Sequence, residues 1–355
     1  MAKENTEAGE PVCRVCDGRL RARVDFGSQA LANALVLPGE TGQEYLFRLA
    51  LAMCEDCSLV QLVEEVPRGL MFRDDYPYYT SGSRFMIEHF EAWPGGCCDA
   101  NSRPRTRSWS RSAPTTGSCW TWSAPPACAT WGSTLQPGVR GGGGQGRAGP
   151  QRLLREVQCG GDRRGRRPGG FIYSANTFSH IPYLDSVFEG ITALLKPGGV
   201  FLFEDPYLGD IVRRTSFDQI YDEHFYFFTA RSARAMARHY GFELVDVEHL
   251  DVHGGEVRYT LMFQGQREPA EAVARMIAQE EAAGLHHPQT LLGFERRMQH
   301  TRRQLTDLLR SLREQGRTVM AYGATGKSTT VANYCGIGPD LVSCVVDNTR
   351  RSRGS

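Results

Sequence analysis
Residues 93–170 contain no Ile, Phe, Tyr, His, Lys or Met, yet they hold all five Trp of the chain and Cys97, Cys98, Cys119, Cys128 and Cys159. Arg, Gly, Pro and Ser fill most of the remainder. A stretch with no Ile, Phe, Tyr or Met and few Leu or Val cannot bury enough surface to offset the entropy of ordering it. As written, it is expected not to form a packed core. The flanks on either side read as ordinary globular protein, so this segment decides how much of a fold the chain can complete.

Read one base out of frame, the segment changes character. New codons can be built from the third base of each codon and the first two of the next. Ser112-Ala113-Pro114-Thr115-Thr116-Gly117 then permits Gly-Ser-Asn-Asp-Gly. The codons from Ser108 to Arg111 permit Val-Val-Glu-Ile before it, and the stretch at about 128–136 permits Val-Arg-His-Leu-Gly-Val-Asp-Pro after it. An apolar strand, a Gly-rich turn and a second strand ending in Asp make the cofactor-binding half of a Rossmann-like unit. Thr349 to Gly354 permits Pro-Ala-Lys-Gln-Gly by the same shift. The hypothesis is two compensating slips, near residues 92 and 170, and a third near 349. The alternative is a genuine Arg/Gly-rich linker.

The chain has 355 residues, enough for two or three domains, and a net charge of +1. The charge gives no general electrostatic case for nucleic acid. No apolar run reaches membrane-spanning length, and the start, Met1-Ala2-Lys3-Glu4-Asn5, lacks the apolar region of a signal peptide. The expectation is a cytoplasmic protein, monomeric, with no membrane or nucleic-acid partner. Cysteines in that compartment serve as thiols or metal ligands rather than disulfides.

Cys13-Arg14-Val15-Cys16 and Cys54-Glu55-Asp56-Cys57 are two CxxC pairs. Each turn aims two thiolates at one point, and two turns complete a tetrahedral four-sulfur shell for zinc. A closed shell leaves no open position for substrate, so Cys13, Cys16, Cys54 and Cys57 are expected to stabilise and place a module over 10–74. Leu46 to Ala52 and Leu59 to Leu62 read as strands beside the second turn. Independent redox pairs and a nucleic-acid zinc ribbon are the rival uses.

Further on, Phe171 to Asn176 suits a buried parallel strand, Asp185 to Leu195 has helical spacing, Lys196-Pro197-Gly198-Gly199 is a break, and Val200 to Asp205 is the next strand. Phe242 to Val247 and Val257 to Phe263 read as a terminal strand pair. Glu268 to Gln315 reads as helix. Thr318 to Tyr322, a helix from about Ser328, and Leu341 to Val346 form a βαβ unit. Ala321 to Ser328, which includes the turn Gly323-Ala324-Thr325-Gly326-Lys327, fits a loose phosphate-loop pattern with Ala in place of the first Gly, and Asp347 is the sole obvious acidic partner for an NTPase. A backbone nest there could instead hold a diphosphate, and a plain structural turn is the third possibility.

The ordered set of motifs carries a family resemblance. It comprises the two CxxC pairs, Leu31-Ala32-Asn33-Ala34, Tyr79-Thr80-Ser81-Gly82-Ser83-Arg84, Asn176 with His180-Ile181-Pro182, Tyr221-Asp222-Glu223-His224-Phe225, His253-Gly254-Gly255, and Gly323 to Lys327. The chain resembles the three-domain, zinc-containing sugar C-methyltransferases that act on nucleotide-linked 4-keto-deoxysugars. The departures are the family's Gly-rich cofactor motif, absent from the given residues, and the family's C-terminal end. The resemblance implies an α/β chain with a zinc-binding module over 10–74. A class I methyltransferase Rossmann-like core would follow over 75–265, its first half disrupted as written. A second Rossmann-like domain over 266–355 would be cut short.

It also implies S-adenosylmethionine as methyl donor, structural Zn2+, and a dTDP-linked keto-deoxysugar as substrate, in deoxysugar and antibiotic biosynthesis. Methylation would fall on C-3, beside the 4-keto group. A base must remove the proton beside the ketone while a methyl sulfonium stands in line. His224 has the resting pKa for that base, with Glu223 and Tyr221 beside it and His180 facing the same pocket. Asn176 and Tyr79 are candidate cofactor contacts; Tyr76, Ser81, His253 and Lys327 are candidate substrate contacts. Taken without the resemblance, Glu223-His224 is a solvated turn, His180 a helix cap, His253-Gly254-Gly255 a hairpin turn, and the aromatics of 221–228 core. A damaged, inactive copy is the main rival to an active enzyme.

Overall fold
The structure is a computed structural model that describes residues 11–34, 36, 42, 44–71, 110–111, 120–121 and 169–347. Tyr76, Tyr79, Ser81, most of 93–170 and 348–355 lie outside the described residues.

The first sheet begins with β1 (Leu20–Ala30), β2 (Leu46–Cys54) and β3 (Val60–Leu62), an antiparallel meander. A short helix, α1 (Arg68–Met71), follows. Strands β4 (Ser110–Arg111) and β5 (Trp120–Thr121) pair antiparallel with each other. The fourth strand of the first sheet comes from far along the chain: β8 (Tyr226–Phe227) lies antiparallel to β3, with Val60 opposite Phe227 and Gln61 opposite Tyr226.

The second sheet has the order β6-β7-β10-β9. β6 (Gly169–Ala175) and β7 (Leu195–Pro206) are parallel, joined by a 3-10 turn at Phe178–His180 and helix α2 (Leu184–Leu194). β10 (Glu256–Phe263) runs antiparallel to both β7 and β9 (Phe242–Leu250). Between β7 and β9 come α3 (Leu208–Arg214), β8 and α4 (Ala230–His239). Buried Phe178, Phe203, Phe228 and Tyr259 fill one face of this sheet, with the Phe178–Phe203 and Phe203–Tyr259 ring centroids both 4.7 Å apart. Alternation along β7 and β10 puts these rings on one side of the pleat.

The two sheets meet at residues 225–228. Leu62 N–H donates to Phe225 O at 2.9 Å, and Phe225 N–H donates to Ser179 O at 2.8 Å. Phe228 forms a parallel bridge with Tyr207, just past β7. The segment therefore satisfies its backbone on both sides, as buried backbone must.

Beyond β10 the chain forms α5 (Glu271–Ala282) and α6 (Pro288–Glu314). Sequence spacing had suggested one helix over 268–315. The chain instead turns at Gly284, whose φ is +67°, and restarts with Pro288 in the first turn of α6, where proline's missing N–H costs nothing. Strands β11 (Met320–Tyr322) and β12 (Cys344–Val346) are parallel around α7 (Gly326–Cys335), the expected βαβ unit. α7 packs back on the first sheet: the Phe26 and Tyr334 rings are 5.3 Å apart. A second correction concerns Lys196 to Gly199. These residues form no break, because β7 starts at Leu195 and a register shift opposite Gly169–Phe171 absorbs them.

Among the described residues no helix is long and apolar enough to cross a membrane.

Candidate active site and metal centre
The two CxxC turns share one geometry. Asp17 N–H donates to Cys13 O and Ser58 N–H to Cys54 O, with Asp17 and Ser58 at φ +58° and +60°. Gly18 completes the first turn, and a Cβ there would fall 2.9 Å from Cys54 Sγ. The four sulfurs lie within 4.8 Å of one another, with Cys13–Cys57 at 3.7 Å and Cys16–Cys54 at 3.5 Å. A zinc ion about 2.3 Å from each of four tetrahedral sulfurs sets them about 3.8 Å apart, so the four residues fit it. Hydrogen bonds from Cys54 and Cys57 hold the Cys13 thiol far below its ordinary value, while Cys54 is pushed up to about 12 against it. The thiols thus compete over one negative charge, which a dication at their centre removes.

Gln61, on β3, links this centre to the residues beyond. Its Nε2 donates to Cys13 Sγ at 3.2 Å, its Oε1 accepts from Arg14 N–H, and its backbone faces Tyr226 in β8. The Arg14 guanidinium lies over the Phe225 ring, 5.8 Å from its centroid.

Immediately before β8, residues 219–224 gather the polar groups. His224 Nδ1 is 3.0 Å from Gln219 O and His224 Nε2 is 3.0 Å from Tyr221 OH. A carbonyl only accepts, so Nδ1 carries the proton and Nε2 receives the Tyr221 hydroxyl. The His180 ring lies 4.8 Å from the His224 ring, centroid to centroid, and His180 Nδ1 is 3.8 Å from Glu223 Oε2. Asn33 Nδ2 donates to Glu223 Oε1 at 2.8 Å, and Ala32 N–H donates to Asp222 Oδ1 at 2.9 Å. Tyr221, Glu223, His224 and His180, proposed from separate motifs, are therefore brought together.

Burial sets the charge states. His180 falls to about 4, and His224 falls well below its ordinary value, first through burial and then through repulsion by His180 and Lys327. Both imidazoles are neutral at pH 7. Asp222 rises to about 7 by burial and by the Glu223 charge, against the Ala32 N–H bond.

His180 is fixed through its neighbour. Ser179 donates from its N–H and Oγ to the buried Asp205 carboxylate, at 3.1 and 2.6 Å.

His253-Gly254-Gly255 is the β9–β10 turn, and it still borders the site. His253 O accepts from Gln219 Nε2, and a Cβ at Gly255 would meet Asp210 Oδ2 at 1.9 Å. Asn176 ends β6 at φ +48° and donates from Nδ2 to Glu256 Oε2 at 3.4 Å.

Lys327 sits on the first turn of α7, partly buried. Burial depresses its pKa, and Asp218 and Glu256 pull it back up. The supposed phosphate nest is partly taken: Asp347 Oδ2 accepts from Ala324 N–H at 2.7 Å and Thr325 Oγ1 caps Ser328 N–H. Asp347 is thereby a loop anchor in this structure, and the Lys327 charge is near enough to His224 to lower its pKa.

Sequence reasoning assigned no role to Asn33, Gln219, Asp222, Ser179 or Asp205. Asn33 lay in a quoted motif, and Asp222 between two candidate residues; the others left no local signal.

Three family models match: a zinc binding domain over 13–72, a methyltransferase domain over 151–247 and a C-methyltransferase C-terminal domain over 251–355. The chain is 30% identical over 362 residues to C-methyltransferase NovU of Streptomyces niveus, across 96% of this chain and 82% of NovU. The chain belongs to this zinc-containing, S-adenosylmethionine-dependent C-methyltransferase family. Solved structures similar to part of it include an S-adenosylmethionine-dependent methyltransferase from Clostridium acetobutylicum, at 13% identity and TM-score 0.22. The match covers 29% of this chain and 62% of that one, so the chain spans under two thirds of this structural neighbour. The DhpI complex with S-adenosylhomocysteine matches at 14% identity and TM-score 0.21, over 28% of this chain and 50% of that one. Family membership identifies the cysteine cluster as the zinc centre.

The buried carboxyl of Asp222 yields a pH prediction. Its folded pKa, about 7, lies above the unfolded value of 3.8, so between those pH values the unfolded chain ionises first. The stability this residue contributes below about pH 4 is therefore lost as pH rises toward 7. Asp222→Asn, which keeps an acceptor for Ala32 N–H, is expected to flatten that part of the stability–pH curve in denaturant titrations. An unchanged slope would show that Asp222 is not buried as an acid.

Proposed function
We propose that this chain transfers a methyl group from S-adenosylmethionine to a ring carbon of a nucleotide-linked 4-keto-deoxysugar. The carbon is C-3, beside the ketone, and the nucleotide is dTDP. The sugar class comes from the family resemblance. The observation that carries the chemistry is the buried, neutral His224, locked as the Nδ1–H tautomer with its basic Nε2 turned to Tyr221.

The proton beside the ketone leaves to His224 Nε2, directly when Tyr221 turns away or through the Tyr221 oxygen. Its bonding electrons pass to the carbonyl oxygen as an enolate. The imidazolium so formed is costly in a dry site, and the Glu223 carboxylate, beside His180, offsets that cost. Lys327 adds positive charge near His224, which favours the enolate. S-adenosylmethionine, when bound, would supply an electrophilic methyl: the enolate carbon would form the new C–C bond as the S–CH3 bond breaks, its electrons returning to sulfur and leaving the neutral thioether S-adenosylhomocysteine. Asn176, at the end of β6, borders the donor's side of the site, where parallel sheets place ligands. Tyr79 would join it there, and Tyr76, Ser81 and His253 would hold the sugar. The domain boundaries that go with this reading are 10–74, 75–265 and 266–355.

Proton abstraction can be measured without methyl transfer. The zinc-loaded chain is expected to wash solvent deuterium into C-3 of a dTDP-4-keto-deoxysugar. His224→Asn is expected to slow that exchange by at least about 100-fold while zinc content stays at the wild-type level. Exchange at the wild-type rate in His224→Asn would remove His224 as the base.

The composition of residues 93–170 favours a second reading, a relative that keeps the zinc module and base loop but has lost its cofactor site. Under that reading the Gly-rich turn and the acidic residue for the ribose are missing. DNA sequencing across codons 85–180 and calorimetry with S-adenosylmethionine separate the two. Unslipped DNA with negligible binding is the result expected of a damaged copy. Slipped bases, or micromolar binding by this chain, would sink it.

A further inference from the structure
We propose that Asn33 is a positioning residue of the methyl-transfer site, delivered by the zinc module to orient Glu223. Residues 31–34 follow β1 directly, so the turn is fixed to the sheet that carries the cysteine cluster. Asn33 sits at φ +60°, a conformation that Asn tolerates better than other residues with a Cβ. From there its Nδ2 reaches Glu223 Oε1 at 2.8 Å, across 190 residues of sequence. The preceding Ala32 N–H takes Asp222 Oδ1 in the same way. Two successive residues of the zinc module thus hold two successive carboxyls of the base loop.

The grip has a chemical consequence. With Oε1 engaged by a neutral N–H donor, Oε2 is left facing His180 Nδ1, 3.8 Å away, and the His180 ring lies against His224. A carboxylate free to rotate would not hold its charge beside the imidazole pair as the base takes up a proton. The α7 start closes the third side: a Cβ on Gly326 would come within 3.1 Å of Asn33 Nδ2 and 3.2 Å of Ala32 Cβ. Glycine at 326 therefore lets the helix that carries Lys327 approach Asn33 closely. Among the described residues, the charged and titratable groups around Glu223 include Asp222 beside it and His180 facing it. His224 stands behind His180, with Lys327 and His253 acting on His224.

This inference rests on the reading of His224 as the base, and the experiment keeps the two apart. Asn33→Ala and the near-isosteric Asn33→Asp are prepared as zinc-loaded full chains, with zinc content and thermal unfolding as checks on folding. Glu223 is followed by carboxyl-carbon NMR, assigned with Glu223→Gln. In Asn33→Asp two carboxyls would share the 2.8 Å contact, so one of the coupled titration steps is expected to move up by about one unit or more. In Asn33→Ala, deuterium exchange into the sugar is expected to fall about ten- to hundredfold in kcat, with KM within about twofold. An unmoved Glu223 titration, or wild-type kcat in Asn33→Ala, overturns the positioning role while leaving the base intact. A wild-type chain that performs no exchange overturns both.

Discussion
The backbone pairing of residues 225–228 with two sheets at once is the constraint on which the remaining geometry depends. Strand 226–227 belongs to the antiparallel sheet of the cysteine module by hydrogen bonding, although it arises in the chain between β7 and β9 of the second, mixed sheet. Ser179 and Tyr207 hold its other side. Tyr221, Glu223 and His224 directly precede it, so their placement is set by two bodies rather than by a flexible loop. Buried backbone groups that lose their partners cost about 1–3 kcal/mol each, which makes this pairing hard to give up piecemeal.

A second consequence concerns charge. Placing residues 219–224 against a folded module removes water from them, and dehydration keeps both His180 and His224 neutral. A neutral imidazole can accept a proton, but a buried imidazolium needs compensation. For His224 the Gln219 carbonyl, which fixes its tautomer, opposes the effect of burial, and for His180 the Glu223 carboxylate stands 3.8 Å away. A zinc ion held by the four cysteines would act at a distance, through the module they pin, rather than by chemistry at the metal. It leaves no coordination position for chemistry of its own.

Much of this was legible in the sequence where the signal is local. The CxxC spacing stated the metal site, and apolar runs such as Val200 to Asp205 stated the strands. Lys196 to Gly199 misled because a β-bulge can absorb Pro and Gly inside a strand, and the Gly284 turn was lost in a region of uniform helix propensity. The base loop was readable only as a motif. Its supports were not, because Asn33 with Glu223 and Ser179 with Asp205 are joined by tertiary structure alone. The Lys327 turn looked like an anion nest, but the Asp347 carboxylate occupies one of its donors, a fact that spacing cannot convey.

Amide hydrogen exchange with and without zinc tests the central claim most directly. If the zinc module builds the 219–224 loop, removing zinc with a chelator will speed exchange at residues 60–62 and also at 225–227, while 257–262 in the second sheet keep their protection. Loss of protection confined to residues 13–62, with 225–227 unchanged, would contradict it.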